Sequence, residues 1–492
     1  MEEELSVETI GIETIKQRSV RGIVVLTGRT FLLQIIALVA QLLLFAYLGK
    51  YEFGVFAIVS AIINFLVYFS DIGLAAALIQ KKEKPSDLDL KTTFTVQQVL
   101  VWIMVSVILI LTPYFVSKYS LSNDGKMLLY ALCFSFALSS LKSIPSILLE
   151  RKLEFVKLVF PQIVEQVVYN VLIVVLAMNG FGISSFTYAV IVRGIVGLLL
   201  IYYMQPWKPG LAFSLTALRG LFKFGVPYQV NTFLATLKDD GLTIILGGII
   251  GPAGIGILSF AQKLARLPLT FFMDTVTKVM FPAFSRLQDS KNDLERSVTR
   301  SIFFICLFVF PGLMGIVILA PLLVRVVPRY EQWIPALIPI IFISTNFAFA
   351  SATTQLTNLL NAIGKIKITF YLMIMWTVLT WALVPVLGLK FGVVGASIGY
   401  ALVGSSSIVA IVIAKRYVNF SISDSIVKPL IGTSVMGVVL LLVRNFLDIS
   451  VNSMLILGLI GVLVYGASMV SMMGASLIDD AKKSYKHIFS KE

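Results

Sequence analysis

Twelve charged side chains stand inside stretches of sequence that are otherwise apolar: Arg29, Lys142, Arg193, Lys238, Lys263, Arg266 and Lys278, with Asp71, Glu165, Asp239, Asp240 and Asp274. Residue types limit the chemistry available around them. The chain has one histidine, His487 near its C-terminus, and two cysteines, Cys133 and Cys306, both in apolar segments. A His-based metal site, a Ser-His-Asp triad and a disulfide framework therefore lack material. No G-x-x-x-x-G-K-[ST] phosphate loop occurs, so no ATP motor of that kind is expected. Charge itself remains: cations that hold an anion, and carboxylates that exchange a proton or Na⁺.

Lys263 and Arg266 are three residues apart, which puts them on one helix face, and no acid lies within a turn of them in their own segment. These two are the strongest anion-holding candidates, since a guanidinium fork and an ammonium both suit phosphate. Arg29, Arg193 and Lys238 are further candidates. Asp71, Asp239, Asp240 and Asp274 are the candidate H⁺ or Na⁺ couplers. Asp274 and Lys278 have the spacing of a helix-surface ion pair. Lys142 and Lys278, near segment ends, are expected to snorkel to the headgroups. Glu165 is expected to pair with Arg193 or Lys157. Pro268, beside Arg266, reads as a hinge or as plain packing.

The elements that must position these groups are membrane helices. Of 492 residues, 58% are apolar and 13% charged, and apolar runs of about 20 residues recur along the whole chain. The spacing predicts an all-α polytopic membrane protein with fourteen spans. It divides into an amphipathic N-terminal segment (1–21), a first six-helix bundle (22–204), a linker (205–220) and a second six-helix bundle (221–414). Two further helices (429–474) and a polar tail (475–492) complete it. Spans seven and eight cover 221–249 and 254–284; eleven and twelve cover 366–387 and 391–414. Residues 5–15 are expected to lie along the membrane surface. The N-terminus lacks the basic region of a signal peptide, so no cleavage is expected.

Orientation follows from Lys and Arg. Of the 40, 26 fall on one side of this layout, seven on the other and seven within spans. The bias puts both termini in the cytoplasm, as an even span count requires. The net charge of +14 is thus a topology signal, and nucleic acid is not an expected partner.

A duplication underlies the spans. GKYEFGVFAI from Gly49 aligns with GPAGIGILSF from Gly251, an offset of 202 that also pairs Gly54 with Gly256. Polar stripes recur at the same offset. Span seven carries Gln229, Thr232, Thr236, Asp239 and Thr243, and span one answers with Thr27, Thr30, Gln34 and Gln41. Span eight carries Ser259, Lys263, Arg266, Thr270, Asp274 and Thr277, and span two has a weaker stripe at the same spacing of three or four, Ser60, Asn64, Tyr68 and Asp71, with Asp71 one residue off the offset from Asp274. Each charge at the bilayer centre costs at least roughly 2.5–3.5 kcal/mol, so such stripes are expected to line a wet interior. Gln34, Gln41, Asn64, Thr232, Thr236 and Thr270 are its candidate polar lining. Parallel six-helix repeats are a known transporter plan.

Residues 48–82, LGKYEFGVFAIVSAIINFLVYFSDIGLAAALIQKK, carry a family resemblance in the turn Gly49–Gly54 and in Ser70–Leu74. With KFGVPYQVN (223–231) and VMFPAFSRLQ (279–288), they are similar to the Wzx-type polysaccharide flippases of the multidrug/oligosaccharidyl-lipid/polysaccharide superfamily. The turn departs from the pattern by reading Gly-Lys-Tyr-Glu where Gly-Pro-Glu is more usual. The resemblance implies a V-shaped pair of bundles whose central cavity lies between helices one, two, seven and eight. It implies translocation of an undecaprenyl-pyrophosphate-linked oligosaccharide across the cytoplasmic membrane, for surface polysaccharide biosynthesis. Arg29, Lys238, Lys263 and Arg266 suit the anionic group of such a substrate by position. The expected partners are that substrate, the phospholipid bilayer, a glycan polymerase and glycosyltransferases. No cofactor is expected. The alternatives are a murein-precursor flippase or a drug/cation antiporter. An enzyme, such as a glycan polymerase or transferase, is disfavoured because no long loop carries catalytic groups.

Overall fold

Lipid offers no partner to backbone N–H and C=O groups, so apolar runs of this length satisfy them internally as helices. The computed structural model describes residues 12–71, 73–81, 83–222 and 236–474, and no strand occurs among them. Its first half contains α1 (Ile12–Tyr47), α2 (Lys50–Asp71), α3 (Leu74–Gln80), α4 (Asp87–Lys118), α5 (Asn123–Leu141), α6 (Ser143–Arg151), α7 (Phe155–Met178) and α8 (Ser184–Met204). A π-helical turn, Leu237–Gly241, leads into α9 (Leu242–Leu287). Then come α10 (Lys291–Val326), a 3₁₀ segment (Tyr330–Ala336), α11 (Leu337–Ala362), α12 (Ile366–Ser405) and α13 (Ile408–Lys415). A second π-turn (Ser423–Val427) precedes α14 (Lys428–Arg444) and α15 (Val451–Met473). Most of the 5–15 surface segment lies outside the described residues.

Among the described residues, twelve helical stretches are long and apolar enough to cross a membrane, where the sequence predicts fourteen. The difference has a local cause. Leu237–Met273 and Ile366–Lys415 each run on through a turn that the sequence places between two spans. The backbone leaves helical geometry there only at Gly251, with φ 70°, and at Phe391 and Gly392, the glycine with φ 60°. Positive φ at one glycine bends the chain without a loop.

Packing divides the chain into two compact units, Met1–Ala253 and Gly254–Glu492. In the first, the linker docks rather than dangles. Trp207 meets the ring of Phe94 at 5.1 Å, the Ala212 N–H donates to Thr95 Oγ1 at 3.1 Å, and Leu218 and Leu221 join a core with Leu74, Leu78, Ile144 and Ile147. The described end of the seventh span packs there too. Tyr119 Oη donates to the Ile244 carbonyl at 3.0 Å, and Gly247 lies so close to Ile58 that a Cβ would approach it to 2.8 Å. The packing boundary therefore falls after Ala253 rather than within 205–220.

The Ser70–Leu74 run makes a break. Gly73, at φ 75°, ends α2 and lets α3 begin. Arg151, at the end of α6, donates to the carbonyls of Leu78, Ile79 (3.0 Å), Lys81 (2.8 Å) and Glu83 (2.9 Å). These include carbonyls that the helix end leaves unsatisfied. Ser86 and Asp89 then form a capping box at the start of α4. The same pair of residue types recurs 204 positions on, where Ser290 Oγ donates to Asp293 Oδ2 at 2.6 Å as α10 begins.

In the second unit Phe284, Val298, Ile302, Cys306, Leu356 and Leu359 form one core, and α14 and α15 pack through Met436, Leu440, Leu457 and Met469 onto Ile318 and Leu322 of α10. Cys133 and Cys306 are buried and free.

Candidate functional site

The stretch with three adjacent charges folds as a π-turn. Leu237–Gly241 carries Lys238, Asp239 and Asp240, and π-turns concentrate at functional positions because they insert one residue into the helical register. Lys238 Nζ lies 3.6 Å from Asp239 Oδ1, and the Asp239 side chain is 74% accessible. Asp240 is half-buried and receives a hydrogen bond from the Asn64 side chain on α2. The turn is braced from its C-terminal side, where Thr243 Oγ1 donates to the Asp239 carbonyl at 2.9 Å. Asp240 thus engages a neighbouring helix, while Lys238 lies against its own neighbour.

Asn64 lies on the accessible side of α2, with Ser60 and Tyr68 partly accessible, while Ile58, Val59, Ala61 and Ile62 are buried. On α1, Arg29, Thr30, Gln34 and Gln41 are all partly buried, and Arg29 Nε is buried with no hydrogen-bond partner among the described residues. The side chain of Asp71 and all of Thr232 lie outside the described residues.

The second unit supplies the other stripe. Along α9, Lys263 and Arg266 are accessible and Ser259 and Thr270 partly so, whereas Ala261, Leu264, Ala265 and Leu269 are buried. The helix thus turns its apolar side into its own unit and presents the cations away from it, as i,i+3 spacing predicts. Pro268 sits on the buried side, close enough to Gly312 that a Cβ there would meet its ring at 3.0 Å. Helical geometry continues through it. Further along, Gln355 Nε2 donates to Thr277 Oγ1 at 2.8 Å. The side chains of Asp274 and Lys278 lie outside the described ones.

Arg193 and Glu165 do come together, with a third partner that sequence reasoning missed. Glu165 of α7 is buried; its Oε1 accepts from Lys142 Nζ at 2.9 Å, and its Oε2 lies 3.8 Å from Arg193 Nε. Lys142 therefore does not snorkel. Lys157, the other expected partner, pairs with Glu154 at 2.7 Å. Thr236, Asp239, Asp240, Asn64 and the cations on α1 belong to the first unit; Lys263, Arg266 and Thr270 belong to the second. Chemically, each unit offers cations on accessible helix faces, and the first adds carboxylates.

Comparison with known proteins bears on what such faces serve. A family model described as "Polysaccharide biosynthesis protein" matches residues 44–338. The chain is 24% identical over 404 residues to the lipopolysaccharide biosynthesis protein WzxC of Escherichia coli (strain K12), covering 81% of this chain and 79% of that one. It is 25% identical to the teichuronic acid biosynthesis protein TuaB of Bacillus subtilis (strain 168), over 61% of this chain and 62% of that one. A solved structure of the lipid II flippase MurJ, in an inward closed conformation, superposes with a TM-score of 0.74. It covers 91% of this chain and 98% of that one at 17% identity, a likeness of fold.

Proposed function

Because the chain belongs to the polysaccharide biosynthesis protein family, we propose that it is a flippase carrying a lipid-linked oligosaccharide across the cytoplasmic membrane. The observation that carries this reading is the placement of Lys263 and Arg266. Both stand on the accessible face of α9 within an apolar helical stretch that turns its other side into the protein. A cation on a membrane helix costs at least roughly 2.5–3.5 kcal/mol unless water or an anion meets it. A pyrophosphate bridging an undecaprenyl lipid to a glycan is an anion that such a pair of cations suits. The names of the relatives, a lipopolysaccharide biosynthesis protein (WzxC) and a teichuronic acid biosynthesis protein (TuaB), support a glycan cargo.

The carrier works by alternating access and is not an enzyme. A proton or Na⁺ gradient drives it, with Asp239 and Asp240 at the π-turn as the described carboxylates suited to coupling and Asp71 and Asp274 as the others. Arg29, Lys238 and Arg193 assist in holding the anion. The chain crosses the membrane fourteen times. Residues 237–273 and 366–415 exceed what one crossing needs at 1.5 Å per residue, and each bends at a non-helical residue. Both termini are then cytoplasmic, in keeping with the Lys/Arg bias. A polymerase and glycosyltransferases act on the same cargo.

The test is export. A strain carrying K263Q/R266Q, with the protein inserted at normal levels, is expected to lose its surface glycan. Unchanged surface glycan in that strain rejects the anion site.

A further inference from the structure

Arg193 is held in an unusual way. On α8, Tyr188, Val192, Ile195, Leu199 and Tyr203 form the exposed stripe at i, i+4, i+7 spacing, and Phe186, Val190, Gly197 and Ile201 form the buried one. Arg193 is seven residues from Phe186 and four from Gly197, so it shares the buried face and points away from the lipid side. Its side chain is nevertheless 44% accessible. Arg193 thus stands on the packed side of α8 and still keeps an accessible side chain.

Glu165 meets it there, but loosely. The Arg193 Nε to Glu165 Oε2 separation of 3.8 Å is beyond hydrogen-bond range, whereas Lys142 makes a true hydrogen bond to Oε1 at 2.9 Å. Glu165 comes right up to α8, because Gly197 leaves room for its carboxylate there; a Cβ at that position would clash outright with Oε1. Arg193 has a second support, its guanidinium standing 5.5 Å from the centre of the Tyr169 ring. One carboxylate thus serves two cations, firmly for Lys142 and weakly for Arg193, and the cluster keeps a net charge of +1.

We propose that Glu165 is an internal stand-in for the substrate's anion, positioned by Lys142 and Gly197 and displaced from Arg193 when a phosphate arrives. The inference deepens the reading that the cargo is anionic, and rests on it in that respect. Lys142 is the positioning residue that makes the exchange cheap, because it keeps Glu165 neutralised after Arg193 leaves. A buried carboxylate stripped of its only partner would cost far more. The arrangement lowers the affinity of Arg193 for weak anions, as any competing internal state does.

The probe is inorganic pyrophosphate, titrated against the full chain in phosphatidylcholine nanodiscs at fixed salt. E165Q removes the competitor and is expected to bind about tenfold more tightly than the wild type, as when a competing state occupies the site nine-tenths of the time. E165D, one methylene shorter, keeps the charge but draws it back from Arg193, and is expected to fall between the two. K142Q leaves Glu165 to Arg193 alone and is expected to weaken binding several-fold. In an R193Q background the gain from E165Q disappears. Should E165Q fail to assemble, E165D and K142Q decide the matter. Unchanged or weaker affinity in E165Q or E165D, with only a lower unfolding temperature, makes the cluster purely structural and overturns the proposal. So does a gain that persists without Arg193, or the absence of any binding in both wild type and E165Q. The flippase reading is tested on Lys263 and Arg266 by glycan export, so either idea can fail alone.

Discussion

Asn64 of α2 donates a hydrogen bond to Asp240 of the π-turn at Leu237–Gly241, joining residues 176 apart in sequence within one packed unit. The contact decides between two neighbouring aspartates. Asp240 is engaged by a second helix, while Asp239 stays accessible beside Lys238. A carboxylate fixed by a neighbouring helix has its charge state tied to that helix, and an accessible one is free to meet an ion.

A double-mutant cycle measures the contact. N64A leaves Asp240 without that donor and should lower unfolding stability by about 1–3 kcal/mol, the usual cost of an unsatisfied polar group. D240A/N64A should cost less than the sum of the two single changes, since both remove the same bond. Strict additivity in thermal unfolding of the nanodisc-held protein would mean that the bond contributes nothing.

The close approach of Gly197 to Glu165 gives a second prediction. G197A puts a methyl group where the Glu165 carboxylate lies, so α7 and α8 must part or the carboxylate must move. The expected cost is about 1–3 kcal/mol, in the range for overpacking a tight core. G458A, where no atom lies within 4 Å of the new Cβ, is the control and should be neutral or slightly stabilising. Equal unfolding temperatures for the two variants would contradict the packing described.

How much of this was legible in the sequence depends on range. The shared face of Lys263 and Arg266 follows from helical period alone, and the helix that carries them is regular. Gly251 marks itself as a turn through the repeated glycine pair, though the spacing suggests a loop where one bent residue suffices. The π-turn is invisible to a periodicity of 3.6, because it inserts one residue and shifts everything before it. Glu165 had two cations in reach by span order, Arg193 and Lys157. Tertiary packing added Lys142, which no local rule names. The serine and aspartate pairs at 86–89 and 290–293 were readable as helix-start signals and strengthen the duplication.

Arg151 offers a test of how the α2–α4 connection is held. R151K keeps the charge but loses the planar fork that reaches carbonyls of Leu78, Ile79, Lys81 and Glu83 together. Amide hydrogen exchange across residues 78–91 should speed up, with about 1–3 kcal/mol of local stability lost. Exchange as slow as in the wild type would show that the helix end needs no such anchor.

The fourteen-crossing layout is tested from outside the cell. A single cysteine at position 123, where α5 begins, in a chain whose two buried cysteines are replaced by alanine, should react with a membrane-impermeant maleimide on intact cells. A cysteine at position 289, before α10, should react only after lysis. The reverse pattern would invert the topology, and labelling of both from one side would remove a crossing.

The most direct measurement of the central claim is transport itself. The purified chain is reconstituted into liposomes with a fluorescent lipid-pyrophosphate-linked oligosaccharide in both leaflets, under pH and Na⁺ gradients, and an impermeant quencher is added outside. The account predicts that the wild type brings the inner pool to the quencher and that K263Q/R266Q does so no faster than protein-free liposomes. Quenching by the wild type that stops at the outer leaflet, or full quenching with K263Q/R266Q, would contradict it.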